Sequence, residues 1–303
     1  MSQLEKYRQL SEFEKSIPLF SKGWWMDAVC ENDWNVILIE NNDQILASLP
    51  YYFYKTNHRM EIKKAILTQT NGIWINYPQN QKYEKQLSYE NRLMSLVIDE
   101  IEKLPITKYQ QYFHYSIENW LPFYWRGYSQ TTRYTYVIED TSNLQQVYQN
   151  FNSNLRKSIR KAEKQVTIKE DIPIEDFYCF NKMTFERQGL NIPYSFEIVS
   201  RIDEACAKRG AKKTFYCVDE NNQIHSAIYF VWDDDTLYYL MSGSHPDFRN
   251  TQSLSLLLFE GIKLAHQMKK KFNFEGSMKK NIEHHFRQFG AVQKAYHHIF
   301  KTF

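Results

Sequence analysis

Residues 272–296 read FNFEGSMKKNIEHHFRQFGAVQKAY. This order predicts a short apolar strand, a Gly-Ser break, a short helix, a Phe-x3-Gly turn and a last alternating strand. An earlier echo runs through residues 111–116 (QYFHYS), 123–127 (FYWRG) and 134–138 (YTYVI). The chain is therefore predicted to contain two copies of one α/β unit. The first copy has no carboxylate at the place of Glu275, so we expect the chemistry in the second copy.

Each copy is predicted to contain helices, an antiparallel meander, a long helix, a strand, a short helix and a last strand. The meander strands and long helix cover 34–39, 45–54, 65–68 with 73–75, and 87–104 in the first copy, and 214–218, 223–232, 236–241 and 253–270 in the second. Helical stretches at 142–166, 174–188 and 195–209 precede the second meander. Pro50 lacks a backbone donor, so its strand is expected to be an edge or to bulge there.

The composition fits a chain with two cores. Its 303 residues suffice for two domains of about 150 residues each. A formal net charge of +3 excludes a polyelectrolyte, so phosphate would be met by a local patch. The four cysteines lack zinc-like spacing and favour free thiols in a reducing cytosol over a disulfide framework. No signal peptide and no apolar run of about 20 residues is seen, which predicts a cytoplasmic protein.

A basic helix is predicted at residues 154–164, NLRKSIRKAEK. Leu155 and Ile159 have the spacing of a buried face, whereas Arg156 and Arg160 stack one turn apart on a neighbouring face and Lys161 lies in a second row. Like charges one turn apart repel, so an anion such as phosphate is a candidate partner. An ordinary solvated basic face is the alternative.

The segment 239–253, YLMSGSHPDFRNTQS, leads from a strand into the long helix of the second copy. A helix N-terminus can bind an anion through its backbone N–H groups. The alternative is an ordinary helix start, with Thr251 or Ser253 as the N-cap.

The closing block places Glu275 and Ser277 after a strand end, where α/β sheets open to ligands. Desolvation in this aromatic strand would raise the pKa of Glu275 and suit it to proton transfer from an attacking amine. The alternative is a buried ion pair between Glu275 and Arg287.

The element order and these motifs resemble a known superfamily. Each copy is similar to the GNAT N-acyltransferases, and two tandem copies resemble the FemAB family, whose members attach amino acids to peptidoglycan precursors. Residues 156–162, RKSIRKA, match the Arg-Lys-x-Ile-Arg-Lys-Ala signature of FemAB-like proteins. Residues 286–290, FRQFG, resemble their Phe-Lys-x-x-Phe-Gly motif, with Arg287 in place of the lysine and one residue fewer before Phe289.

The resemblance implies a fold class of α/β (α+β) with two tandem GNAT-like domains, 1–138 and 139–303. Each would be a mixed, mostly antiparallel sheet flanked by helices, with the first domain as scaffold and the second as the carrier of the active site. Arg156, Arg160 and Lys161 would then lie near phosphates, and Arg287 would hold a carbonyl oxygen as it becomes an oxyanion. Glu275 would accept the proton of the amine.

The same resemblance bears on the acyl donor. GNAT enzymes that use acyl-CoA have Arg-Gly-x-Gly before the long helix, whereas here Arg249 is followed by Asn-Thr-Gln-Ser. The missing glycines favour aminoacyl-tRNA over acyl-CoA, because close backbone approach to a pyrophosphate is harder without them. Tyr239, Ser242, Arg249, Ser277 and, in the loop after a helix end, Tyr194 are the further candidate substrate-binding residues.

The sequence thus predicts an amide-forming acyltransferase or aminoacyltransferase of FemAB-like type. The alternatives are a CoA-dependent N-acyltransferase and a non-catalytic module that binds a phosphate-bearing ligand. The acceptor would be a small or lipid-linked amine; tRNA as partner and peripheral membrane contact stay open, and DNA and a transmembrane segment are not expected. No tightly bound cofactor and no metal are expected, because adjacent histidines such as His284 and His285 point apart.

Overall fold

The computed structural model describes residues 1–56, 59–276 and 278–303. The chain forms two compact units, residues 1–133 with 295–303 and residues 134–294. The strands β6 (Ser129–Ile138) and β12 (Val292–Thr302) each cross from one unit to the other.

The first unit begins with two helices and continues as a sheet with one long helix. Its elements are α1 (Gln3–Phe13), α2 (Gly23–Cys30), β1 (Trp34–Asn41), β2 (Gln44–Thr56), β3 (Arg59–Lys63), β4 (Trp74–Ile75), α3 (Tyr83–Glu102), β5 (Lys108–Tyr112) and α4 (Leu121–Trp125). The strand order is β1-β2-β3-β5-β12, with β4 paired to β2. The β3–β5 pair is parallel and the other pairs are antiparallel. The apolar face of α3 packs into the core of this unit, as its 3.6-residue spacing predicts.

The second unit repeats this plan with more helices before the sheet. Its elements are α5 (Leu144–Gln149), α6 (Ser153–Ala162), β7 (Thr167–Glu170), α7 (Ile174–Glu186), α8 (Phe196–Ala207), β8 (Lys212–Val218), β9 (Ile224–Trp232), β10 (Thr236–Ser244), α9 (Ser253–Gln267), β11 (Lys271–Asn273) and α10 (Lys280–Arg287). The strand order is β6-β11-β10-β9-β8-β7. Only the β10–β11 pair is parallel among the described strands of this unit.

The last strand of each unit comes from the other half of the sequence. β12 pairs with β5, from His298 opposite Tyr112 to Thr302 opposite Lys108. β6 pairs with β11, where Ile138 lies opposite Phe272. The predicted division, 1–138 and 139–303, keeps each last strand with its own half. The compact units differ from that division, because β12 pairs with β5 and β6 pairs with β11. The order of strands along the chain does not specify which strands pair.

The mixed α/β architecture is confirmed, with local corrections. The third meander strand of the first unit is β3, which precedes the predicted 65–68, and only Trp74 and Ile75 of the predicted 73–75 form a strand. Pro50 lies opposite Val36 of β1, but the other edge of β2 pairs with β4 at Ala47–Ser48 and with β3 only from Tyr52 onward. The missing N–H of Pro50 therefore falls in a gap between two partners of β2.

Candidate functional site

The parallel strands β10 and β11 pair for only three residues, from Thr236 opposite Lys271 to Tyr238 opposite Asn273. Beyond that point β10 continues along β9 as far as Ser244. The chain after β11 instead follows β6, since the Phe274 N–H donates to the Tyr136 carbonyl at 2.9 Å. The sheet therefore opens between the two strands. We call this the strand opening; residues 239–244 form its β10 side and residues 274–276 its β11 side.

A β-bulge shapes the β10 side. The register with β9 shifts between Tyr239 and Met241, so one extra residue is inserted there. Residues three apart in a regular strand face opposite sides, but the bulge lets the Tyr239 hydroxyl and Ser242 Oγ share a hydrogen bond. Burial raises the pKa of Tyr239, so this phenol stays protonated at neutral pH. The structure thus brings two of the predicted site residues together.

The helix α7 packs against the β10 side of the strand opening. Asn181 Nδ2 donates to the Ser242 carbonyl at 2.7 Å, and Asn181 Oδ1 accepts from the Tyr194 hydroxyl at 2.7 Å. Tyr194 is buried, and burial raises its pKa. Gly243 allows the close approach, because a Cβ there would lie 2.2 Å from the carbonyl carbon of Phe180. Tyr194 is thus linked to the β10 side through Asn181, a residue that the sequence did not single out.

Glu275 lies on the β11 side in a half-buried position, with a backbone φ of +60°. Its N–H donates to Asn273 Oδ1 at 2.9 Å, and the same oxygen accepts from Thr135 Oγ1 at 2.7 Å. A Cβ on Gly276 would lie 1.9 Å from the Tyr134 carbonyl oxygen, so the glycine fixes this turn against β6. The turn that carries the carboxylate is thus held by specific contacts. The predicted substrate residue Ser277 lies outside the described residues.

The helix α10 lies across both sides of the strand opening. The ring of Phe286 is 6.0 Å from that of Tyr239 and 5.2 Å from that of Phe274, centroid to centroid. Arg287, at the end of this helix, has a side chain that is 59% exposed and forms an ion pair with Glu283 at 3.5 Å. Glu283 Oε1 also accepts from the Tyr136 hydroxyl at 3.1 Å. Glu283 was not among the predicted residues, although its spacing of four from Arg287 suggests this pair.

The basic helix α6 buries its apolar stripe as predicted, and its cations differ in their contacts. Arg156 Nη1 donates to the carbonyls of Gln149 at 2.6 Å and Phe151 at 2.9 Å, so this guanidinium holds the end of α5. Arg160 is exposed. Lys161 is exposed too, and its Nζ donates to the Asn250 carbonyl at 3.3 Å.

Lys161 and Arg249 therefore form a basic cluster near the turn that precedes α9. Asn250, which Lys161 contacts, lies in a 3-10 turn from Pro246 to Thr251 together with the exposed Arg249. The pKa of the largely exposed Arg187 is lowered by partial desolvation and then by the positive charge of Arg249.

The start of α9 corrects one sequence-based alternative. The N-cap is Gln252, in the left-handed conformation with φ +61° and with no side-chain capping bond. Thr251 Oγ1 donates to the Phe248 carbonyl at 2.7 Å, and Ser253 Oγ bonds to the buried Ser226 Oγ at 2.8 Å. Neither residue is the N-cap, because its hydroxyl is committed elsewhere. The first N–H groups of α9 consequently have no side-chain cap among the described residues.

Within residues 1–56, 59–276 and 278–303, no cluster of three or more His, Cys, Asp or Glu side chains could hold a metal ion. No helix in these ranges is long and apolar enough to cross a membrane. None of the four cysteines, all of which the structure describes, forms a disulfide; Cys179 is exposed and the other three are buried.

The chain is similar to known proteins in one domain of its sequence and in its fold. Residues 149–271 match the family model of an acetyltransferase (GNAT) domain. The crystal structure of FemX is similar over 98% of this chain and 96% of its own, with 12% identity and a TM-score of 0.73. The C-terminal domain of a putative lysylphosphatidylglycerol synthetase from Agrobacterium fabrum is similar over 100% and 93%, with 10% identity and a TM-score of 0.60.

A tandem GNAT protein from the clavulanic acid biosynthesis pathway is similar over 98% of this chain and 92% of its own, with 7% identity and a TM-score of 0.53. No curated protein matches the sequence. At these identities the structural likeness concerns the fold, whereas the family model concerns residues 149–271. The predicted resemblance to the FemAB-like and GNAT acyltransferases is confirmed: the chain has the fold of these solved structures, and residues 149–271, which include β10 and α9, match the GNAT domain model.

Proposed function

We propose that this protein is an amide-forming transferase of FemAB-like type that moves an activated acyl or aminoacyl group to an amine. The observation that carries the proposal is the strand opening, with Glu275 on one side and the bonded Tyr239 and Ser242 on the other. A half-buried carboxylate beside the opening can accept the proton of the attacking amine. A neutral phenol on the other side can donate a hydrogen bond to the oxyanion of acyl transfer.

In the proposed reaction the amine nitrogen attacks the acyl carbonyl carbon. The C–N bond forms, and the C–O bond of an aminoacyl ester or the C–S bond of a thioester breaks. Glu275 takes the proton of the amine, directly or through water, and the leaving oxygen or sulfur ends protonated. Arg287 steadies the oxyanion; for that role it has to turn from Glu283, with which it pairs at 3.5 Å.

We assign the phosphates of donor or acceptor to the basic cluster near α9 and to Arg160 of the helix α6. Arg160, Lys161 and Arg249 are exposed, and the start of α9 offers backbone N–H groups without a side-chain cap. Arg156 was also predicted for this role, but its bonds to the end of α5 favour a positioning role for it. We expect the remaining substrate contacts from Tyr239, Ser242 and, outside the described residues, Ser277.

Aminoacyl-tRNA is our first choice of donor, because a non-glycine sequence replaces the glycine loop of acyl-CoA enzymes. Acyl-CoA is the second candidate, favoured by the uncapped start of α9 and by the GNAT domain match. The acceptor would be a cell-wall or lipid-linked precursor with a free amine. A cytoplasmic location would suit both donors and the four free thiols.

Isotope-labelled transfer with the purified chain tests the proposal. One arm offers aminoacyl-tRNA and the other acetyl-CoA or longer acyl-CoA, each with candidate amine acceptors. Glu275→Gln should lower the transfer rate by about 10²- to 10⁴-fold, the range for a general base. Glu260→Gln is the matched control, because Glu260 pairs with Lys263 on α9. Transfer from CoA alone would favour the second donor. Tight binding of a phosphate-bearing ligand without transfer from either donor would instead favour a binding module.

A further inference from the structure

A cavity of about 640 Å³ lies in the first unit, between the N-terminal half of α3 and the segment 116–121. Aromatic side chains line it, among them Tyr77, Tyr83 and Trp120, together with the carboxyls of Glu90 and Glu118. Of the described residues in its lining, none is Lys or Arg. The cavity is therefore suited to a cation and unsuited to a phosphate or carboxylate ligand.

Glu90 is the central polar group of this cavity. It is only 6% exposed, although carboxylates are rarely buried without a cationic partner. Its Oε1 accepts from Gln86 Nε2 at 3.2 Å and its Oε2 from Asn119 Nδ2 at 3.1 Å, and both donors are neutral amides. No Lys, Arg or His forms an ion pair with Glu90 within residues 1–56, 59–276 and 278–303. Neutral amides satisfy the oxygens and leave the negative charge uncompensated.

The surroundings hold this carboxylate in place. Asn119 Nδ2 also donates to Asn91 Oδ1 at 2.9 Å, and Asn119 Oδ1 accepts from the Leu121 N–H at 3.1 Å. These bonds tie the segment before α4 to α3, so the position of Glu90 is set by the fold. Burial raises the pKa of Tyr77, and the negative charge of Glu90 raises it further. The phenol thus stays a neutral hydrogen-bond donor beside the carboxylate.

We propose that this cavity binds an organic ammonium ion, a ligand with a primary amine on an aliphatic chain. Glu90 receives the ammonium group through a charge-assisted hydrogen bond. Tyr83 and Trp120 supply aromatic surface, which attracts both the cation and its chain. The first unit is then a ligand-binding unit in its own right, whatever reaction the second unit performs.

Isothermal titration of the full chain with 1,5-diaminopentane at low ionic strength tests this inference. We expect saturable binding, with 1,5-pentanediol of similar length at least about 10-fold weaker, because it lacks the charge that Glu90 requires. Glutarate should not bind. Equal affinity for the diol, or tighter binding of glutarate than of the diamine, would overturn the proposal.

Two matched variants locate the binding. Glu90→Gln should weaken diaminopentane binding about 10-fold or more. Glu100→Gln makes the same charge change on the same helix, where Glu100 pairs with Lys103, and should leave the affinity unchanged. Tyr83→Ala removes a side chain that is 74% exposed and should weaken binding about 3-fold without affecting folding. If Glu90→Gln does not fold, the Tyr83→Ala variant and the diol comparison decide. Wild-type affinity in Tyr83→Ala, or in a folded Glu90→Gln variant, contradicts the site.

Discussion

Gly243→Ala should push α7 away from β10 and disturb the strand opening from behind. The added Cβ would lie 2.2 Å from the Phe180 carbonyl carbon and 2.5 Å from the Asn181 nitrogen, whereas ordinary contact begins at 3.4 Å. Both neighbours are backbone atoms, so no side-chain rotation relieves the clash. Strand and helix must separate by about 1 Å, the difference between these distances. That shift stretches the 2.7 Å bond from Asn181 Nδ2 to the Ser242 carbonyl beyond hydrogen-bonding range.

The loss of stability in Gly243→Ala has two parts. Overpacking a close contact typically costs about 1–3 kcal/mol, and a buried carbonyl left without its donor adds about 1–3 kcal/mol. We therefore expect Gly243→Ala to lower the free energy of unfolding by about 2–6 kcal/mol. Urea unfolding, followed by circular dichroism and by tryptophan fluorescence, measures this through the shift of the midpoint at unchanged slope.

Gly189→Ala is the control that measures the effect of a glycine-to-alanine change without a steric clash. Gly189 has φ +68° and no atom within 4 Å of an added Cβ, so only the left-handed conformation is penalised. That penalty is about 1 kcal/mol. If Gly243→Ala costs no more than Gly189→Ala, the close packing of α7 on β10 is not as described here.

Three further predictions concern single side chains. Arg156→Gln should destabilise the protein by about 1–2 kcal/mol in urea unfolding, because it removes the hydrogen bonds to the end of α5. As the control, Arg160→Gln changes an exposed arginine and should alter stability by less than about 0.5 kcal/mol. Equal effects of the two substitutions would contradict the structural role of Arg156. Native protein at pH 8 should show one fast-reacting thiol with Ellman's reagent, lost in Cys179→Ser, because Cys179 is exposed while burial raises the pKa of Cys206 to about 12; a second fast thiol would refute this. The pKa of His298 is lowered to about 4, by burial and then by nearby positive charges, so the unfolded chain binds its proton first as the pH falls. Stability should thus decline from about pH 6.5 towards pH 4 by about 1–2 kcal/mol after allowance for partial exposure, and His298→Gln should remove that part of the pH dependence.

The periodic elements were predictable because their signals are local. The apolar stripe of α3 comes from burial of one helix face, and the nearly continuous apolar run of β9 comes from burial of both sides of that strand; a single sequence records both patterns. The strand β3, RMEIK at residues 59–63, was not predicted because three of its five residues are charged and only Ile62 is buried. The sequence therefore identifies elements with a continuous apolar face better than short polar strands.

The site was only partly predictable because its residues meet through long-range contacts. Tyr239 and Ser242 were predicted, but the bulge that joins their hydroxyl groups depends on the register with β9. Asn181 follows buried Phe177 by four residues on α7, so a polar residue on a buried face was a visible signal; its partners Ser242 and Tyr194 were not. At the start of α9, Ser253 is a good capping residue by type, yet a distant serine takes its hydroxyl.

The exchanged last strands impose an order on biosynthesis. Residues 1–133 are made first, but their unit also needs residues 295–303, which leave the ribosome after the whole of the second unit. Until then β5 lacks its antiparallel partner β12 and presents an unpaired strand edge. The second unit meets no such delay, since its borrowed strand β6 precedes it in the chain. The unit that is translated first therefore completes its sheet last. The edge of β5 stays unpaired during that interval, so it is the surface where a chaperone would be most needed.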